Sequence, residues 1–158
     1  MTDGVEQLLA AFKAGPAQLR DAIRGMTPNQ LSARPIADKW TTQEVVCHLA
    51  DFEIINAERI QRTIAEENPT VFDAHPDPRA ERLFYDRRDC EAELQLIESL
   101  RRYHATILDA LEPQQWQRTL VHSGDGPLTL RQLVERTTVH IQHHVRFIAQ
   151  KRAAMAQG

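Results

Sequence analysis

Two four-residue patterns, Thr41-Thr42-Gln43-Glu44 and Thr129-Leu130-Arg131-Gln132, constrain this chain more than any other feature. Each is a capping box. The Thr hydroxyl accepts an orphan backbone N–H three residues on, and the Glu or Gln side chain reaches back to the backbone N–H of the Thr. Trp40 with Val45, and Leu128 with Leu133, are spaced as the hydrophobic staples that fix how the chain enters each helix. Apolar side chains then recur at helical spacing. After the first box, Val45, His48, Leu49, Phe52, Ile55 and Arg59 share a face to about Ala65. After the second, Leu130, Leu133, Thr137, His140, Ile141, His144 and Ile148 do so to about Arg152.

Two further segments carry the same period. From about Val5 to Arg24, Val5, Leu8, Leu9, Phe12, Leu19 and Ile23 fall on one side, with Pro16 as an interruption expected to kink the helix. From about Arg87 to Leu111, Leu94, Ile97, Leu100, Ile107, Leu108 and Leu111 form a stripe that includes His104. No alternating strand of useful length stands out. The connections over 67–86 and 112–127 exceed the roughly 2–8 residues usual between bundle helices, which marks them as crossovers or functional loops. The expectation is an all-α four-helix bundle, up-down-down-up with long crossover linkers, in one domain over residues 1–158.

Charge narrows the function classes. Charged residues make up 26% of the chain with a formal net charge of −3, and no basic face is evident, which argues against nucleic acid as the main partner. Arg87-Arg88 and Arg101-Arg102 read as solvated helix positions. Cys47 and Cys90 are the only cysteines and form no CxxC pair, so both are read as reduced thiols. The opening Met1-Thr2-Asp3-Gly4 lacks the basic flank and apolar run of a signal peptide, and no stretch approaches the ~20 apolar residues of a membrane span. A soluble cytoplasmic protein is expected.

The histidines carry the chemistry. His140 and His144 are four residues apart, which puts both imidazoles on one helix face, about 5–6 Å apart at Cβ and able to share an ion. Both lie on an apolar stripe, as does His48 between Val45, Leu49 and Phe52. A buried ring without a partner costs about 1–3 kcal/mol, and one divalent metal would satisfy all three. The competing account makes each a core histidine bonded to a backbone or carboxylate group. His143 could also chelate with His140 but points about 100° from His144, so it is expected at the surface or a dimer contact. His104 could line the same cavity. Asp51, three residues after His48, could orient the free nitrogen of that ring. Cys47 points away, and the turn His122-Ser123-Gly124-Asp125-Gly126 could cover the site.

These residues resemble a known family. Lys39-Trp40-Thr41 leading into Val45-Val46-Cys47-His48-Leu49-Ala50-Asp51, the Gly126-Pro127-Leu128-Thr129-Leu130 entry and the block His140-Ile141-Gln142-His143-His144 resemble the DinB/YfiT-like metalloenzymes over about residues 35–150. The resemblance implies an up-down-down-up bundle, a three-His metal site at His48, His140 and His144, and a homodimer. Assigned members include transferases and isomerases using low-molecular-weight thiols, and many others carry a provisional hydrolase label.

Three protein ligands leave one coordination position open, the pattern of a catalytic zinc site. The leading expectation is a metal-dependent hydrolase, or a transferase joining a low-molecular-weight thiol to a small-molecule electrophile. Catalysis would rest on metal-bound water, with His104 and Asp51 as further candidates. An all-imidazole site suits Zn or Ni first and Fe or Cu next. The alternative is a noncatalytic dimeric metal-binding or stress-response protein.

Overall fold

The computed structural model describes residues 3–156. Its helices are α1 (Asp3–Ile23), α2 (Pro28–Ser32), α3 (Thr42–Ala65), α4 (Pro76–Arg82), α5 (Cys90–Asp109) and α6 (Leu130–Ala156). Three short strands accompany them: β1 (Thr70–Val71), β2 (Thr119–His122) and β3 (Gly126–Thr129). The long helices α1, α3, α5 and α6 form the bundle.

Both capping boxes close. The Glu44 N–H donates to Thr41 Oγ1 at 3.1 Å while the Thr41 N–H donates to Glu44 Oε2 at 2.6 Å. The corresponding Gln132–Thr129 bonds measure 3.2 and 2.9 Å. Helix α5 starts later than its periodicity suggests. Tyr85–Arg87 forms a single 3-10 turn, and the Asp89 carboxylate then caps the backbone N–H groups of Glu91 and Ala92.

Side-chain pairs fix the helix directions. Lys13 meets Asp109 and Arg20 meets Glu91, so α1 and α5 are antiparallel. Asp51 meets Arg88 and Glu53 meets Arg101, so α3 and α5 are parallel. Gly15 lies against Ile141, and the Ala22 carbonyl accepts from Arg152, so α1 and α6 are also parallel. The order is up-down-down-up. A tight turn cannot join parallel neighbours, which accounts for the long crossover from α3 to α5, while the second crossover links the antiparallel α5 and α6, whose packing neighbours are α1 and α3.

Those crossovers hold the strands that the sequence reading missed. β1 pairs in parallel with β2, matching Thr70 to Val121 and Val71 to His122, and β2 pairs antiparallel with β3. The Val121 N–H donates to the Pro69 carbonyl and the Ser123 N–H to that of Val71, both at 2.9 Å, so one crossover is laced to the other. Gly126 turns the β2–β3 hairpin at φ +77°, a conformation glycine adopts without a Cβ penalty.

The apolar core divides in two. One cluster gathers Leu9, Phe12, Ile60, Leu108, Trp116, Leu120 and Leu133 near the sheet. The other gathers Leu19, Val46, Leu49, Leu94, Ile97, Ile141 and Ile148 toward the opposite end. Between them lies Arg101, only 2% exposed, where the sequence reading placed a solvated residue. Its Nε and Nη2 donate to the two Glu53 carboxylate oxygens at 2.6 Å each, and Nη2 also donates to the Thr137 carbonyl at 2.6 Å. Nη1 donates to the Phe12 carbonyl at 3.1 Å. Pro16 explains that last bond: proline has no N–H, so the carbonyl four residues earlier lacks its helical donor, and Arg101 supplies one. One guanidinium thus joins all four long helices.

Candidate metal centre

Helix α3 presents His48 and the opposing helix α6 presents His140 and His144, one turn apart. His48 Nε2 and His140 Nε2 stand 3.0 Å apart, and the three ring centroids lie 4.8–4.9 Å from one another. One nitrogen from each ring falls within 4.8 Å of the other two. Around a tetrahedral ion with metal–nitrogen bonds of about 2.0–2.1 Å, ligand nitrogens sit about 3.3 Å apart. Small side-chain rotations would bring the set to that spacing.

The environment favours neutral rings with available lone pairs. Burial, followed by His140 and His144, lowers the pKa of His48 to about 2. Burial, then His143 and Arg101, lowers that of His140 to about 4. Burial, then neighbouring His140, His143 and Lys151, lowers that of His144 to about 3. Aromatic rings wall the cluster, with Trp40 at 5.0 Å and Phe52 at 4.5 Å from the His48 ring. Among the described residues, no carboxylate lies within hydrogen-bond reach of these imidazoles. The buried Nδ1 atoms of His48 and His144 have no partner. On His48 it is Nε2 that faces the cluster, so that ring would offer Nε2 to an ion and keep its proton on Nδ1. The donor set, all neutral nitrogen, suits a divalent transition metal.

The other sequence candidates lie elsewhere. Asp51 does not orient His48: its carboxylate accepts from the Tyr85 hydroxyl at 2.8 Å and from Arg88 Nη1 at 2.9 Å. A short carboxylate one turn along meets the buried phenol and guanidinium first. His104 does not line the cavity either. Its Nδ1 contacts the Leu100 carbonyl at 2.8 Å and its Nε2 contacts Gln61 at 3.1 Å. Gln61 lies thirteen residues beyond His48 in α3, about 20 Å along the axis. His143 is exposed, stacked edge-on against His144 and Phe147. Cys47 is buried, and burial pushes its thiol up to about 12.

Two clefts reach the cluster. One of about 280 Å³ meets His144 and is lined by Trp40, Phe147 and Lys151. Lys151 is 4% exposed, and burial lowers its pKa. The other, of about 480 Å³, meets His140 and extends along Phe52 and Asn56 to Arg59 and the β2–β3 hairpin. The turn at 122–126 therefore borders the site, but as an ordered hairpin. Its His122 Nδ1 accepts the backbone N–H groups of Gly124 and Asp125 at 3.2 Å. Of these two cations, Arg59 carries a signal in the sequence, a charged residue on the inward stripe of its helix, and Lys151 carries none.

The family model of the DinB superfamily matches residues 11–148. The chain belongs to the DinB superfamily. A relative from Geobacillus kaustophilus is 29% identical over 154 residues, 94% of this chain and 84% of its own. YfiT from Bacillus subtilis is 27% identical over 136 residues, 85% of this chain and 76% of its own. Both carry the provisional name metal-dependent hydrolase. A solved structure of YfiT, described as a probable metal-dependent hydrolase with an unusual four-helix bundle topology, superposes with a TM-score of 0.91 at 24% identity. The match covers 99% of this chain and 90% of that one. The two share the four-helix fold over nearly the whole of this chain.

Proposed function

We propose that this protein is a metal-dependent enzyme in which His48, His140 and His144 hold one divalent ion and leave a coordination position open to a small-molecule substrate. The carrying observation is the convergence of three neutral, largely buried imidazoles from two opposing helices, one nitrogen of each within 4.8 Å of the others and no carboxylate among them. The names of the relatives point to hydrolysis. When bound, a divalent ion supplies Lewis acidity at its open position, lowering the pKa of a water or thiol placed there.

The chain's own residues do the rest. Trp40, Phe52 and Phe147 keep the cluster apolar, which strengthens electrostatic interactions inside it. Lys151 places a buried positive charge in the smaller cleft, near His144, where a substrate anion is attracted. A low-molecular-weight thiol is the second candidate nucleophile beside water. The nearby carboxylates Asp51 and Glu53 are both held in ion pairs, leaving no free carboxylate base beside the histidines, so either nucleophile would depend on ionisation at the ion.

The test is elemental analysis of untagged protein together with a turnover assay over ester, amide and thiol-plus-electrophile panels. The expected result is about one bound Zn or Ni per chain, and activity lost in His144→Ala. Metal-free protein, or metal binding unaltered by His48→Ala, would refute the reading. A homodimer in cytoplasm accompanies this proposal, and sedimentation checks the dimer.

A further inference from the structure

Arg59 has no purpose in the chemistry so far. Its side chain is 7% exposed on average over the residue, yet it lines the larger cleft together with His140. Among the described residues, no carboxylate comes within 4 Å of its guanidinium. Its partners are neutral: the Asn56 side-chain oxygen at 3.3 Å and the Phe72 carbonyl at 2.5 Å. Two of five N–H donors are thereby used. The nearest acids, Asp73, Glu58 and Asp125, act on it only at a distance, without a hydrogen bond, and Asp125 is already paired with Arg136 at 2.6 Å. The cleft wall carries Arg59, Arg136 and Arg146 against only Asp73 and Asp125.

A buried guanidinium without an anion is unfavourable in a folded protein, and burial lowers its pKa accordingly. The contrast with Arg101, whose carboxylate partner sits at 2.6 Å on two bonds, shows that this fold pairs a buried arginine when it is only structural. We infer that Arg59 anchors the carboxylate or phosphate group of an elongated substrate whose reacting end lies at His140. The reacting end rests on the metal-centre reading above; the anion site does not.

Helix geometry sets the length. Arg59 follows His48 by eleven residues, about three full turns, so both point to the same side of α3. The axial rise is about 16 Å, and helical side chains lean back toward the N-terminus, so the anion lies about 10–16 Å from the metal cluster. Phe52 and Leu128 line the space between and suit an alkyl or otherwise apolar spacer.

The test uses metal-loaded protein with octanoate, octyl phosphate and 1-octanol as probes. Binding is followed at the Arg59 Nε–Hε resonance of arginine-labelled protein. Octanoate or octyl phosphate should shift that resonance and bind roughly tenfold or more tightly than 1-octanol. Whichever anion binds better identifies the headgroup. Arg59→Gln should abolish the preference without changing 1-octanol binding, and Arg59→Lys should retain part of it. Equal binding of all three probes, or an unmoved Arg59 resonance, overturns the proposal, and the wild-type readout decides even if Arg59→Gln does not fold.

A second arm separates the two readings. 8-Mercaptooctanoate and 8-mercapto-1-octanol are titrated into cobalt-loaded protein, where thiolate ligation gives an absorption band. An Arg59-dependent preference for the anions without that band supports the anion site and overturns the metal reading. A band of equal affinity for both thiols overturns the anion site and leaves the metal reading standing.

Discussion

Two buried polar regions sit about one to two helical turns apart in this bundle, and they are built on different terms. At the waist, Arg101 and Glu53 satisfy each other on two bonds, and the remaining donors reach the Phe12 and Thr137 carbonyls. At the histidine cluster, His48 and His144 each leave a buried nitrogen without a partner. The first region is complete without anything added. The second gathers three neutral nitrogen donors with no acid among them, a set that an added cation would complete.

The largest effect should come from breaking the complete region. Arg101→Ala leaves Glu53 charged and buried and should lower stability by about 3–5 kcal/mol in urea unfolding. The double change Glu53→Leu with Arg101→Met should recover most of it. At the incomplete region, His48→Ala or His144→Ala should weaken metal binding by more than about 100-fold in a chelator competition. Each should disturb metal-free stability less than Arg101→Ala does. If His144→Ala proves the more destabilising of the two, the cluster is structural.

Metal addition sharpens the contrast. At a free concentration one hundred times its dissociation constant, the ion should stabilise the wild type by about 2.7 kcal/mol and His140→Ala hardly at all, as read from the shift in Tm. Asp51→Asn should reduce stability by about 1–3 kcal/mol through Tyr85 and Arg88 while leaving metal affinity unchanged. A tenfold affinity loss there would mean that Asp51 supports His48 after all. Smallest is Thr129→Ala, expected to remove about 1 kcal/mol of capping from the helix that carries two of the histidines.

What the sequence revealed follows the range of the interactions involved. Capping boxes at Thr41 and Thr129 act within four residues, so both helix starts were legible. The spacing of His140 and His144 and their place on an apolar stripe were equally local. The sheet was not legible, because β1 has two residues and β2 four, too few for an alternation to register, and the β1–β2 pairing joins Thr70 to the distant Val121. Arg101 was misread for a different reason. Its neighbour Arg102 suggested a solvated pair, although Ile97, Arg101, His104 and Leu108 share one helical face. Proximity along the helix makes Asp51 a candidate to orient His48, whereas its partners come from the crossover and from the entry to α5.

The parallel packing of α1 on α6 and of α3 on α5 also has a kinetic consequence. Helices nearest in space are seldom nearest in sequence here, and the first and last long helices lie side by side. Chains dominated by such distant contacts close large loops before those contacts form, so this bundle should refold more slowly than an up-down-up-down bundle of equal length. His48 and His140 are 92 residues apart. The ion therefore has no complete site until α6 has docked, and in stopped-flow refolding metal should slow unfolding far more than it speeds folding.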